Sequence, residues 1–290
     1  MSKFMWGGIV MSKNGKVISI INMKGGVGKT ALSVGISSFL SEKKDEKVLL
    51  IDSDPQFNAT QAFIDPEDYL KSEKTIFKLF KPQTELHQSF VMPKREELVT
   101  KINKNLDILM GDLNLVLVNK SSDSGLIKRL KRFITKNNLR NYYDYIIIDC
   151  PPTLTLYTDS ALVSSDYYLI PNRIDRYSNI GISSLNRAIG DLIDQEDLEL
   201  KCLGLIYTMV QNHLSDKQKE VKAELESNKA MENIYVFKSS TSLVNDMQVG
   251  KQGPIATRYA KSNKDISDVV DELQALLSKN SSKEGVTVDG

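Results

Sequence analysis

Two cysteines, Cys150 and Cys202, are too few for a disulfide framework and too far apart for a paired metal motif, which fits a reducing cytosol. Two histidines, His87 and His213, cannot build a histidine metal site. No apolar run reaches the roughly 18 residues of a membrane span. Residues 1–16 hold an early lysine but no long apolar region, so they do not read as an export signal. A surplus of charge is missing too. The 38 Lys and Arg offset 37 Asp and Glu to a net +1, so any contact with a polyanion must come from local patches. What is there is a globular balance, 41% apolar and 26% charged, in a chain of 290 residues that can bury a full core.

Apolar, β-rich runs alternate with amphipathic stretches. Val17–Asn22, Val48–Asp52, Leu106–Met110, Tyr145–Asp149, Tyr167–Pro171 and Cys202–Met209 read as strands. Their near-continuous apolar character means burial on both faces, as in a parallel sheet with helical crossovers. Thr30–Leu40 reads as a helix. Further apolar stripes are Leu126, Ile127, Leu130, Phe133 and Ile134; Ile182, Leu185, Ile189, Leu192 and Ile193; and Ile266, Val269, Val270, Leu273, Leu276 and Leu277. The last stripe stands behind a capping group at Ser262–Asp265. Residues 81–104 include a loop. The expectation is an α/β fold with a single doubly wound, mainly parallel sheet over residues 16–279, an N-terminal extension at 1–15 and a frayed tail at 280–290. Met11 opens a second Met-Ser-Lys, which leaves the start open between Met1 and Met11.

Residues 23–30 read Met-Lys-Gly-Gly-Val-Gly-Lys-Thr between a strand and a helix, the setting of a phosphate-binding loop. Glycines let backbone N–H groups turn inward around phosphates, and the helix N-terminus adds partial positive charge. In a P-loop NTPase of this kind Lys29 reaches the β and γ phosphates and Thr30 offers its hydroxyl to Mg²⁺. The loop is not the ordinary one, because Met23 stands where glycine is usual and Lys24 precedes Gly25-Gly26.

Lys24-Gly25-Gly26-Val27-Gly28-Lys29-Thr30 resembles the deviant Walker A signature of the ParA/MinD family. The resemblance spans roughly residues 16–279. It implies ATP as the nucleotide, and that Lys24 reaches a partner subunit's nucleotide. Leu49–Thr60 (LLIDSDPQFNAT) resembles the family's switch I, which gives Asp54 the role of positioning the attacking water and ordering Mg²⁺. Asp52 closes the strand as a support for the metal shell. Tyr145–Pro152 (YIIIDCPP) resembles the Walker B strand, so Asp149 would hold Mg²⁺ through a water. The resemblance puts Met209 and Gln211 in the base-binding loop. Cys150 reads as a small core residue.

Departures from the family pattern matter. Ala31 replaces a hydroxyl residue that would bond the α-phosphate. Pro171–Arg176 (PNRIDR) and Lys238–Val249 (KSSTSLVNDMQV) differ from the usual forms, so adenine and DNA contacts do not carry over there. Asn119, Lys120 and Asp123 are spaced one residue too long for a guanine-reading motif, and read as a loop. Asp265, Asp268, Asp271 and Glu272 make the terminal helix acidic, against a basic membrane-binding helix.

Lys128, Arg129, Lys131, Arg132 and Lys136 share a helix opposite its apolar stripe, with Arg140 following. Lys251, Arg258, Lys261 and Lys264 form a second basic set. Either reads as a solvated face or as a non-specific DNA surface. The resemblance best fits ParA-type partition ATPases of the short kind, without a helix-turn-helix domain. It implies a homodimer closing over two ATP–Mg²⁺ complexes and hydrolysing slowly. It also implies a centromere-binding partition protein as partner and a cytoplasmic, nucleoid-associated location without membrane binding. The alternative is a MinD-like or protein-cargo positioning ATPase.

Overall fold

The computed structural model describes residues 14–81, 90–118, 125–176 and 178–284. The extension before residue 14, the tail from residue 285 and the Asn119–Asp123 loop lie outside the described residues.

The apolar runs form one seven-stranded sheet. Its strands are β1 (Lys16–Ile20), β2 (Val48–Asp52), β3 (Thr100–Lys101), β4 (Leu106–Leu109), β5 (Tyr145–Asp149), β6 (Tyr167–Asn172) and β7 (Lys201–Tyr207). Their order is β3-β4-β2-β5-β1-β6-β7, and every neighbouring pair runs parallel except β3 with β4. This is the doubly wound arrangement expected from the sequence. The strand missed there, β3, is a pair of half-exposed and exposed residues with no apolar pattern to mark it.

Among the described residues six longer helices cover the sheet: α1 (Lys29–Lys43), α2 (Arg129–Lys136), α3 (Leu156–Ser164), α4 (Ser178–Glu196), α5 (Asp216–Glu226) and α6 (Ala260–Glu284). Successive strand residues point to opposite faces. Ile146 and Ile148 therefore meet α2, α3 and α4 through Phe133, Tyr157, Leu162, Ile182 and Leu185. Ile147 enters the other core, with Leu32, Ile36 and Leu40 of α1 and Ile266, Val269, Val270 and Leu273 of α6. Each such side chain contributes about 1.5–3 kcal/mol relative to exposure. Gly35 permits the close approach of α1 to α6, since a Cβ there would meet the Ile266 Cδ1 at 2.8 Å.

Three expectations need correction. Ser262–Asp265 is no cap, because α6 already starts at Ala260. The Asp265 carboxylate instead accepts the Ser242 N–H at 2.7 Å. The helix α6 runs on to Glu284, five residues into the segment expected as a tail. The Leu126 stripe is broken into a 3₁₀ turn, Leu126–Lys128, ahead of α2. Among the described residues no helix is long and apolar enough to cross a membrane.

Candidate functional site

β1 ends between β5 and β6, where the strand order reverses, and open parallel sheets place ligand clefts outside such strand ends. The loop from Ile21 to Gly28 leaves β1 there. Gly26 and Gly28 have φ of +70° and +83°, in the left-handed region that favours glycine. A lattice of buried polar groups fixes the loop from below. The Asn22 Oδ1 accepts the Lys24 N–H at 2.9 Å, and its Nδ2 donates to the Pro171 carbonyl at 2.8 Å. The Thr208 hydroxyl lies 2.7 Å from the Val27 carbonyl and 3.2 Å from that of Asn172. Val27 is buried, while Gly25 and Gly26 face solvent.

Lys29 opens α1 and is buried, with its Nζ donating to the Lys24 carbonyl at 3.0 Å. Burial pulls its pKa below the ordinary value, and the Asp149 and Asp54 carboxylates oppose that shift. The Thr30 hydroxyl donates to Asp149 Oδ2 at 2.8 Å. The Ser33 hydroxyl, one turn on, lies 2.9 Å from Asp149 Oδ1. Asp149 is fully buried at the end of β5. Burial raises its pKa, and the Thr30 and Ser33 hydroxyls work against the rise.

Asp52 pairs in register with Asp149 across β2 and β5. Burial, and then the charge of Asp149, pushes its pKa up. Its Oδ2 accepts the Thr60 N–H at 2.7 Å and the Thr60 hydroxyl at 2.8 Å, and its Oδ1 accepts the Asp54 N–H at 3.2 Å. The Thr60 hydroxyl oxygen in turn accepts the Gly111 N–H at 2.9 Å. Asp52 thus pins the Ser53–Thr60 loop to the end of β4. That loop holds Asp54 buried, with Oδ1 accepting the Gln56 N–H at 2.9 Å. It is anchored further by the Ser53 hydroxyl donating to the Asp149 carbonyl at 2.7 Å and by Phe57 stacked on Tyr69 at 4.8 Å.

The structure therefore brings Lys29, Thr30, Asp52, Asp54 and Asp149 to one pole. Among the described residues no cluster of three or more His, Cys, Asp or Glu forms a metal cage. A Thr hydroxyl and a carboxylate, oxygens only, suit Mg²⁺, which binds few protein groups and completes its shell with waters and phosphate oxygens. The residues present fit that ion.

Gly28, Ala31 and Met209 line an apolar cavity of about 140 Å³, together with Thr208, Leu243 and Ile266. Met209 also borders a smaller cleft with Gln211 and Arg173, so the two expected base-loop residues face adjacent hollows. Met209 has φ of +54°, unusual for a side chain of its size. Ser33, Asn22 and Thr208 escaped the sequence reading. Ser33 was findable, because three residues after Thr30 it shares a helix face with it. Asn22 and Thr208 were not, since the bonds that tie them to the neighbouring strand loops run to backbone carbonyls distant in sequence.

The basic helix needs correction. Arg129 is buried, donates to the Leu79 and Lys81 carbonyls at 3.0 and 3.1 Å, and lies over Phe90. It is structural and offers no charge to solvent. Lys128 pairs with Glu196 at 2.8 Å, and Arg140 with Asp166 at 2.6 Å. Lys131, Arg132 and Lys136 remain exposed. In the second set Lys251 pairs with Asp246, Lys264 pairs with Asp268, Arg258 donates to the Gln252 carbonyl and Lys261 donates to Asn212. Cys150 is a buried core residue, as expected.

The AAA domain family model matches residues 15–202. The sporulation initiation inhibitor protein Soj of Bacillus subtilis is 33% identical over 202 residues, 68% of this chain and 73% of Soj. The chromosome partitioning protein ParA of Myxococcus xanthus is 33% identical over 67% of this chain and 65% of its own. A cobyrinic acid a,c-diamide synthase from Mycobacterium smegmatis, solved with an ATP analog and magnesium, shares the fold. It superposes with TM-score 0.73 at 22% identity, covering 89% of this chain and 93% of its own.

Proposed function

Because this chain belongs to the ParA/Soj family of AAA-domain ATPases, we propose that it is an ATP-gated dimerising switch for partition of a plasmid or chromosome. The observation that carries this reading is the convergence of Lys29, Thr30, Asp54 and Asp149 on the glycine loop at the carboxyl end of β1, β2 and β5.

Backbone N–H groups of residues 25–30 cradle the phosphates, and the Lys29 ammonium neutralises the β and γ oxygens. Ala31 offers no hydroxyl, so α-phosphate binding rests on the backbone there. Thr30 and Asp149 would hold Mg²⁺, which would supply charge neutralisation on the phosphate oxygens. Asp54 orients the water that attacks the γ-phosphorus, and ADP leaves. The apolar cavity at Met209 takes the base. Lys24 reaches the nucleotide of a second subunit, so ATP joins two chains and hydrolysis releases them. Catalysis of this kind is mostly positioning and electrostatics, and a slow rate suits a timer. A centromere-binding partner would accelerate it.

In the ATP dimer the exposed Lys131, Arg132 and Lys136 of two subunits would add phosphate contacts on one duplex without reading sequence, which gives a nucleoid-associated protein. The burial of Arg129 and the pairing of Lys128 thin this basic set and favour a second reading, a positioning ATPase whose cargo is a protein complex. The α6 stripe is packed on the sheet and unavailable to a membrane.

Light scattering and duplex-DNA titration with and without ATP test the proposal. ATP should double the mass, and the doubled species alone should hold duplex DNA at moderate salt. A dimer that ignores DNA would move the protein-cargo reading ahead.

A further inference from the structure

We propose that Ser33 is a positioning residue for the metal, holding the Asp149 carboxylate in the orientation that serves Mg²⁺. The proposal rests on the metal role of Asp149 given above. Thr30 and Ser33 are three residues apart in α1, so their side chains stand on one face of the helix. That face meets the end of β5. The Thr30 hydroxyl donates to Asp149 Oδ2 at 2.8 Å, and the Ser33 hydroxyl lies 2.9 Å from Oδ1. Ser33 and Asp149 are both fully buried, so bulk water reaches neither end of the second bond. The Ser33 oxygen also lies 3.0 Å from the Lys29 carbonyl. A hydroxyl has one proton to give, and an ionised carboxylate is the stronger acceptor, so the proton goes to Asp149.

The last torsion of an aspartate side chain is broad and soft. With Thr30 alone, the carboxylate would still turn about a single bond. Bonds to both oxygens fix its plane. A carboxylate offers about four acceptor sites, so two hydroxyls leave room for a metal-bound water. Ser33 touches neither metal nor phosphate and acts only through Asp149. Ser37, one turn further along the same helix, supplies the contrast. It is as buried as Ser33, yet its hydroxyl has no hydrogen-bond partner among the described residues. Burial of a serine on α1 is therefore not enough to hold the carboxylate.

The test titrates Mn²⁺, which shares the octahedral oxygen preference of Mg²⁺, into the full chain loaded with ADP. Paramagnetic resonance reads the bound ion, and ADP affinity in chelator is measured beside it. Ser33→Ala should weaken Mn²⁺ binding about ten-fold, the usual scale for a group that orients a metal ligand. It should leave metal-free ADP affinity unchanged. Alanine is the better helix former, so the variant keeps α1. Ser37→Ala should leave both affinities at wild-type values. Wild-type Mn²⁺ affinity in Ser33→Ala, beside a loss in Asp149→Ala, overturns the role of Ser33 and leaves Asp149 as a metal residue. An equal loss in Ser37→Ala also overturns it, because any buried hydroxyl on the helix would then do the same. If Asp149→Ala binds Mn²⁺ as the wild type does, the metal role of Asp149 fails, and that of Ser33 fails with it.

Discussion

The nucleotide pole and the basic helix α2 carry similar numbers of charged side chains and use them in opposite ways. At the pole Lys29, Asp52 and Asp149 are buried, and each carboxylate is met by hydroxyls or backbone N–H groups within 3.2 Å. On α2 the charges are exposed, or, like Arg129, absorbed into the packing. Burying a charge without partners is expensive, so a cluster of buried ones needs a dedicated set of hydrogen bonds. A solvated face requires nothing of the kind. The difference separates a built site from a surface that acts only by total charge.

The largest expected effect lies at the pole. Lys29→Ala removes the cation proposed to face the phosphates and should cost about 3–5 kcal/mol of ATP binding, roughly 100-fold or more in affinity. Isothermal titration measures it. Near-normal affinity would put the phosphates elsewhere.

Asp54→Ala should leave ATP affinity within a few-fold and lower the hydrolysis rate at least about ten-fold. A parallel assay of turnover and dimer lifetime reads both, and normal turnover would remove Asp54 from water positioning.

On the other side, Arg129→Ala should behave as a core mutation. It leaves the Leu79 and Lys81 carbonyls without their donor, and the loss should be about 1–3 kcal/mol in denaturant unfolding. Its DNA affinity, measured well below the unfolding transition, should match the wild type. A drop there would return Arg129 to the surface set.

Changing Lys131, Arg132 and Lys136 to Glu should do the reverse. Stability should shift by no more than about 0.5 kcal/mol per site. The slope of log DNA affinity against log salt should flatten by about 5.4 if all three touch phosphates in both subunits of the dimer. An unchanged slope would make α2 a solvated face alone.

The smallest effect concerns a carboxylate away from both regions. Burial pushes Glu272 upward, but bonds from Ser239, Tyr235 and the Lys238 N–H outweigh it and hold the pKa below the ordinary value of a glutamate. A depressed folded pKa stabilises the fold above the unfolded pKa, and that contribution is lost as pH falls through the folded one. Glu272→Gln should therefore reduce stability near neutrality and flatten the decline below about pH 4.5. Parallel acid titrations that stay equally steep would deny the linkage.

How far the sequence could be read follows from the range of the forces involved. The strands and the glycine loop were legible because apolar period and left-handed glycines act over a few residues. β3 was illegible because a pair of edge residues has no period. The end of α6 was misjudged because Lys279–Glu284 is polar by composition, while the helix it prolongs is anchored by Leu273 and Leu277 upstream.

By itself the sequence determined which residues reach the site pole, since Asp149 closes β5, Asp54 lies just past β2, and Lys29 and Thr30 open the helix after the β1 loop, and the place of each strand in a parallel sheet is set by its apolar run. Only the tertiary structure decided which charges stay available. Arg129 and Arg132 are alike in sequence, yet one is enclosed by carbonyls and a ring while the other faces water. Lys24 met Asp175 across about 150 residues of chain because Asn22 and Thr208 brought two loops together. A long, flexible side chain has no fixed partner until the fold surrounds it, so its role belongs to the packing and not to its place in the chain.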